Sequence, residues 1–203
     1  MKFHAYLEQL FSGRVSISLV RALLTYRGKI FTIRGLARVA KVSPAEAAVV
    51  AEKLEERGII RIQPVGRSYQ ILLNEKSYVL NKIVKQTILA EEKTLDALIS
   101  VLKKNLNNKK IISVCLFGSV AMKTEKEDSD VDLLVISNDF EMASVVLART
   151  RDEISQIFGN RLSPIVFTET ELREKKNGNL VKSILNSYII IHGKDIRELV
   201  QSR

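Results

Sequence analysis

The chain has 203 residues, a formal charge of +9 and 46% hydrophobic residues, which is enough to bury two small cores. No apolar run approaches the length of a membrane span, and the N-terminus lacks the pattern of a secretory signal. The single cysteine, Cys115, excludes an intramolecular disulfide and lies in an apolar run. These features predict no membrane association and a location in the reducing cytoplasm.

Positive charge is concentrated in the first part of the chain. Residues 1–75 hold 12 Lys and Arg against 6 Asp and Glu, whereas residues 76–203 hold 20 against 17. This excess favours contact with nucleic-acid phosphates near the N-terminus. A basic surface that serves only solubility would show the same balance.

The first part of the chain predicts helices followed by a hairpin. Apolar residues recur at helical spacing in 16–26. Thr32 is placed to cap a helix over 33–40. Ser43 is placed to cap a third helix, with Pro44 behind it and Glu46 three residues further on. Two strands, 59–63 and 68–73, follow around a turn at 64–67.

This order of elements resembles the winged-helix DNA-binding domains of transcriptional regulators over roughly residues 10–75. The similarity is carried by Thr-Ile-Arg-Gly-Leu-Ala at 32–37, Val-Ser at 42–43, Leu-Glu-Glu-Arg-Gly-Ile-Ile at 54–60 and Gly-Arg-Ser-Tyr at 66–69. The resemblance implies DNA as a partner, with the third helix in the major groove and the wing along the backbone.

The outward face of the third helix lacks Arg, Asn and Gln, the side chains that usually read bases. Basic residues on and around this helix predict phosphate-dominated DNA binding with modest sequence preference. The residues in question are Arg34, Arg38, Lys41, Lys53, Arg61 and Arg67. The alternative is a winged helix that serves protein contact or dimerisation.

Residues 78–106 predict one long helix or two joined helices, because apolar residues recur at three-to-four-residue intervals with an interruption at 91–93. The apolar residues are Leu80, Val84, Leu95, Leu98, Leu102 and Leu106. We therefore expect a winged-helix domain at 1–76, a connector helix at 77–108 and a second domain at 109–203. The apolar stripe of the connector would either pack against its own chain or form a homodimer face.

From residue 111 onwards the pattern alternates between strand and helix. Strands are predicted at 111–117, 131–136 and 162–168, with helices at 141–158, 169–175 and 180–187 and an apolar segment at 189–193. This order predicts an α/β (α+β) unit, a small mixed sheet with flanking helices.

The residues that carry chemistry lie between the first two of these strands. Gly118 and Ser119 follow the first strand and precede a short helical stretch, where backbone N–H groups suit a phosphate. Asp130 and Asp132 are two apart on the next strand, so both side chains point to the same face. Two carboxylates so close repel each other unless a cation such as Mg²⁺ lies between them.

This combination resembles the nucleotidyltransferase superfamily that includes DNA polymerase beta, and especially its small, minimal members, over roughly residues 109–195. The resemblance implies that Asp130 and Asp132 are catalytic ligands of Mg²⁺ or Mn²⁺ and that Gly118 and Ser119 contact the triphosphate. It also implies transfer of a nucleoside monophosphate from NTP to an acceptor, with release of pyrophosphate. Lys123, at a place where minimal members often have Arg-Gly, would add positive charge near the phosphates.

The third carboxylate of that superfamily has no counterpart on the strand at 162–168, which contains no acid. Glu169 and Glu171 lie beyond it, where acids also complement a helix dipole. Two hypotheses therefore remain open: a metal-dependent nucleotidyltransferase linked to a DNA-binding domain, or a DNA-binding regulator that senses nucleotide through an incomplete transferase domain. A third, a partner protein of the toxin–antitoxin kind, is suggested by the family alone.

Overall fold

The computed structural model describes residues 13–66 and 68–201. The chain divides into two compact units, Met1–Lys93 and Thr94–Arg203. Within the described ranges, no helix has the length and apolar character needed to cross a membrane.

The N-terminal unit packs three helices and a hairpin around one core. Its buried residues include Leu19, Leu36 and Leu54 from the three helices and Ile60 and Ile71 from the hairpin. The elements are α1 (Arg14–Thr25), α2 (Ile33–Ala40), α3 (Pro44–Glu56), β1 (Ile60–Val65), β2 (Ser68–Leu73), a π-helical segment (Leu80–Val84) and α4 (Lys85–Glu92).

Both predicted helix caps are present. The Thr32 hydroxyl accepts a hydrogen bond from the Gly35 N–H at 3.2 Å and so satisfies a free donor at the start of α2. The Ser43 hydroxyl accepts one from the Glu46 N–H at 3.2 Å and donates one to the Glu46 carboxylate at 2.8 Å. Short polar side chains therefore set where α2 and α3 begin.

The predicted turn at 64–67 is wrong at its first two positions, because β1 continues through Val65. Pro64 pairs with Tyr69, and Val65 pairs with Ser68. A two-stranded sheet tolerates a proline whose missing N–H would point away from the partner strand. Gly66, at φ 58°, then reverses the chain at once.

The helical segment after the hairpin contributes to both cores. Val84 and Ile88 are buried in the N-terminal core, whereas Leu98, Leu102 and Leu106 are buried in the C-terminal core. Helix α4 ends before Lys93, and α5 (Thr94–Leu106) begins after it.

The C-terminal unit is built on a four-stranded mixed sheet in the order β5-β4-β3-β6. Strand β4 runs parallel to β5 and antiparallel to β3, which is itself antiparallel to β6. The elements after α5 are β3 (Ile111–Phe117), α6 (Gly118–Met122), β4 (Val131–Ser137), α7 (Phe140–Phe158), β5 (Leu162–Phe167), α8 (Glu169–Glu174), α9 (Asn179–Asn186), β6 (Ile189–Gly193) and α10 (Ile196–Gln201). This architecture confirms the predicted α/β class.

Helices cover both faces of the sheet. On the first face, Leu116 and Leu133 pack with Leu102 of α5 and Ile154 of α7. On the second face, alternate residues of the same strands pack with the three C-terminal helices. Helix α10 forms after the last strand because Ile196 and Leu199, three residues apart, are both buried.

Candidate nucleotide and metal site

The predicted site residues meet at one edge of the sheet, where β3 ends and β4, β5 and β6 begin. Phe117, the last residue of β3, pairs with Asp132 of β4, and Asp132 pairs with Ser163 of β5. Because β4 and β5 are parallel, the starts of both strands lie at this edge. The fold therefore brings Gly118, Ser119, Asp130 and Asp132 together from separate parts of the chain.

The two aspartates form the acidic part of the site. Asp132 is half-buried on the second face of the sheet, in line with the buried residues Leu134 and Ile136. Burial, reinforced by the neighbouring charge of Asp130, raises the pKa of Asp132 above its ordinary value. A divalent cation would relieve this repulsion, and carboxylate oxygens are the ligands that Mg²⁺ prefers. The donor set therefore fits Mg²⁺ or Mn²⁺.

A network of loop hydrogen bonds holds Asp130 in place. The Lys126 N–H donates to the Ser129 hydroxyl at 2.8 Å, and the Asn160 amide donates to the Ser129 carbonyl at 3.1 Å. On the other side of Asp130, the Val131 N–H donates to the Arg161 carbonyl at 2.8 Å. Sequence reasoning did not identify Ser129 or Asn160, and the serine at the end of a polar turn was the available signal.

Gly118 is required by a close approach to Asp132. Its φ is +73°, a left-handed conformation that favours glycine. A Cβ atom added there would overlap the Asp132 carboxylate and would lie 3.1 Å from its Cγ. The glycine therefore leaves room for the Asp132 carboxylate, a constraint separate from any approach by phosphate.

Ser119 and Lys123 lie at the two ends of the short helix α6. Ser119 is half-buried in the first turn, and its carbonyl accepts from the Thr124 N–H at 3.0 Å, which closes the helix. Lys123 ends the helix in a left-handed conformation, at φ 57°, and is exposed. Ser119 is therefore adjacent to Gly118, whereas Lys123 lies five residues from it, at the other end of the helix.

The neighbouring strand β5 carries a serine beside Asp132, where the family resemblance implies a third carboxylate. Ser163 stands beside Asp132, and within residues 13–66 and 68–201 no three His, Cys, Asp or Glu side chains come together as a metal site. Phe167 pairs with Ile136, so Glu169 lies beyond the far end of the sheet, more than about 13 Å from Asp132 along the strands.

The two glutamates after β5 have structural partners. Glu169 forms an ion pair with Arg173 at 2.8 Å. Glu171 forms a capping box with Thr168, whose N–H lowers the pKa of the glutamate. Both acids therefore serve helix α8, as their position after the strand had suggested.

Of the predicted DNA-contacting residues, four lie on helices of the N-terminal unit or at their ends, and Arg61 is exposed on β1. Arg34, Arg38 and Lys41 are exposed at three- and four-residue spacing along α2 and its end, and Lys53 is exposed on α3. Arg67 lies outside the described residues. The exposed face of α3 carries no base-reading side chain, since it is formed by Ala45, Glu46, Val49, Glu52 and Lys53.

The C-terminal unit is similar to known proteins. Residues 97–197 match the family model described as polymerase beta, nucleotidyltransferase. A relative in Methanocaldococcus jannaschii that bears the name of a protein adenylyltransferase is 37% identical over 89 residues, which are 42% of this chain. This chain spans 60% of the length of that relative.

Two solved structures show partial likeness. A toxin–antitoxin structure with AMP-PNP has a TM-score of 0.38 and 14% identity, covering 53% of this chain and 81% of that one. TrmBL2, an archaeal chromatin protein whose structure shows a mode of DNA binding, has a TM-score of 0.28 and 19% identity, covering 83% of this chain and 70% of that one. The residues at 97–197, just under half of the chain, thus match a nucleotidyltransferase domain of the polymerase beta type, and they include the sheet edge that carries Gly118, Ser119, Asp130 and Asp132.

Proposed function

We propose that this protein transfers AMP from ATP to an acceptor protein in the presence of Mg²⁺ or Mn²⁺. The observation that carries the proposal is the close approach of Gly118 to Asp132, with Asp130 alongside, at one edge of the sheet. The name of the relative supports both AMP as the transferred group and a protein as the acceptor.

Each site residue has a role in this reaction. Asp130 and Asp132 would hold the divalent ion, which when bound offsets negative charge on the phosphates. The backbone at Gly118, the Ser119 hydroxyl and the Lys123 ammonium group would bind the triphosphate.

In the transfer step, an acceptor oxygen forms a bond to the α-phosphorus while the bond from that phosphorus to the leaving pyrophosphate breaks. The acceptor proton passes to solvent, because the position beside Asp132 on β5 is a serine and offers no carboxylate base. Positioning and charge stabilisation would therefore supply most of the rate enhancement.

The test uses ATP labelled at the α-phosphate, Mg²⁺ or Mn²⁺, and protein fractions as acceptors. We expect pyrophosphate release and transfer of label to protein, both reduced at least about 100-fold in Asp130→Asn. Asp128→Asn, which changes an exposed acid two residues away, is the matched control and should keep full activity. Absence of nucleotide turnover with every acceptor fraction would refute the transferase.

We also propose that the N-terminal unit binds DNA mainly through phosphate contacts. The support is the exposed row formed by Arg34, Arg38 and Lys41, together with the excess of positive charge in residues 1–75. DNA binding would bring the transferase domain to proteins that work on the same DNA.

A second candidate function is a DNA-binding regulator that senses ATP without turning it over. The observation that favours it is Ser163, which occupies the position beside Asp132 where a third carboxylate would complete the site. This function predicts that ATP with Mg²⁺ shifts DNA affinity in the full chain and that Asp132→Asn abolishes the shift. A DNA titration that ATP leaves unchanged would eliminate this candidate.

A further inference from the structure

A row of four residues crosses the second face of the sheet at the site edge. Ser163, Asp132 and Phe117 are paired in register across β5, β4 and β3. Leu116 pairs with Ile189 on β6, so the next residue outward, Tyr188, falls opposite Phe117. All four side chains are half-buried, and Tyr188 and Phe117 both pack against the core of the second face. Tyr188 therefore lies two strand spacings, about 10 Å, from Asp132.

An open cleft of about 500 Å³ adjoins Tyr188 and strand β6. This volume lies within the range of small-molecule sites. Its walls come from the end of α9, from β6 and from the start of α10, and the lining residues are Asn186, Ser187, Tyr188, Ile190, Asp195 and Arg197. Tyr188 thus belongs both to the cleft and to the row that contains Asp132, about 10 Å away, a separation that an extended nucleotide can span.

The floor of the cleft is rigid. The Tyr188 hydroxyl donates to the Asp195 carboxylate at 2.5 Å, and burial together with this bond raises the pKa of Tyr188 to about 12. The Arg197 guanidinium lies over the Tyr188 ring, 5.5 Å from its centroid, and donates to the Leu185 carbonyl at 3.0 Å. Arg197 is exposed and lines the cleft, so its guanidinium group is held there by these two contacts and remains accessible to a ligand.

We propose that this cleft is the nucleoside subsite of the transferase, with the base stacked on Arg197 and its edge read by Asn186. Planar guanidinium groups stack on aromatic rings and on nucleic-acid bases. An asparagine carboxamide matches the donor and acceptor of adenine at N6 and N7, and Asn186 is exposed at the mouth of the cleft. The subsite rests on the proposed transfer from ATP and accounts for the choice of adenine.

The test separates binding of the base from binding of the phosphates. Calorimetry of the full chain with Mg²⁺ would measure affinity for ATP, GTP and inorganic tripolyphosphate. We expect Asn186→Ala to lower the affinity for ATP about tenfold and to make the affinities for ATP and GTP nearly equal. Arg197→Met should lower the affinity for both nucleotides about fivefold. Neither variant should change tripolyphosphate binding by more than about twofold, which also verifies that each variant is folded.

Two controls define the outcomes. Asn138→Ala removes another exposed asparagine, just after β4 at the opposite end of the sheet, and should bind all three ligands like the wild type. Asp132→Asn should weaken all three. If Asn186→Ala and Arg197→Met bind ATP like the wild type while Asp132→Asn does not, the subsite is refuted and the transferase stands. If the wild type binds neither ATP nor tripolyphosphate, the proposed function fails and the subsite with it.

Discussion

Replacing Gly118 by alanine tests the close approach at the centre of the proposed site. Two costs are expected. The left-handed backbone at φ +73° costs an alanine about 1–2 kcal/mol. The new Cβ would also overlap the Asp132 carboxylate, and relief of such overlap typically costs a further 1–3 kcal/mol or so. Gly118→Ala should therefore lose about 2–5 kcal/mol of unfolding free energy and should move Asp132 away from the metal.

Gly159 provides a matched control within the same unit. Its φ is +75°, and a Cβ added there meets no atom within 4 Å. Gly159→Ala should therefore lose only the backbone part, about 1–2 kcal/mol, and should keep its affinity for ATP and Mg²⁺. Urea unfolding of the full chain and calorimetry with ATP would measure both quantities.

The difference between the two glycine variants isolates the collision with Asp132. In a double-mutant cycle, most of the extra cost of Gly118→Ala should disappear in an Asp132→Ala background, because the carboxylate is gone. Equal losses of stability and equal ATP affinities in Gly118→Ala and Gly159→Ala would refute the reasoning.

Three further predictions concern charge. Burial and the charge of Asp130 raise the pKa of Asp132 in the folded chain above its ordinary value of 3.8. The folded chain therefore holds this proton more tightly than the unfolded chain does. The contribution of Asp132 to stability consequently falls as pH rises from 3.8 through the folded-state pKa. Asp132→Asn should therefore raise the urea midpoint at neutral pH while abolishing metal binding; a lower midpoint would contradict this sign. Lys123→Gly should lower the affinity for ATP about fivefold. Its unfolding free energy should stay unchanged or rise by up to about 1 kcal/mol, because glycine suits the backbone conformation at φ 57°. Lys41→Gly, at φ 55°, is the control and should leave ATP affinity unchanged. Replacing Arg34 and Arg38 together by alanine should reduce the slope of log affinity for DNA against log salt by about 2, and an unchanged slope would exclude them as phosphate contacts.

Local features of this protein could be predicted from sequence because the interactions that determine them are local. Thr32 and Ser43 cap helices through hydrogen bonds to residues three positions away. Short, nearly continuous apolar runs likewise located β3 and β4, whose boundaries differ from the predicted ones by at most one residue. Pro64 was misassigned because its tolerance depends on β1 having an open edge, which no local pattern shows.

The site likewise has features that the sequence shows and features that depend on tertiary contacts. The order Gly118, Ser119, Asp130, Asp132 is visible in the sequence because the motif spans a single hairpin-like connection between neighbouring strands. The contact between the Gly118 backbone and the Asp132 carboxylate is decided by the register of β3 on β4. Ser129 and Asn160 support Asp130 from two different loops, and that pairing depends on β5 lying next to β4.

The sequence by itself thus determined the fold class, the carboxylate pair and the absence of an acid on β5. Only the tertiary structure decided that Ser163 is the residue beside Asp132, that Glu169 and Glu171 lie at the far end of the sheet, and that Tyr188 completes a row across it. The physical reason is that strand order and register join residues tens of positions apart. The apolar pattern limits the possible registers, and the packing of helices on both faces of the sheet decides which strands become neighbours.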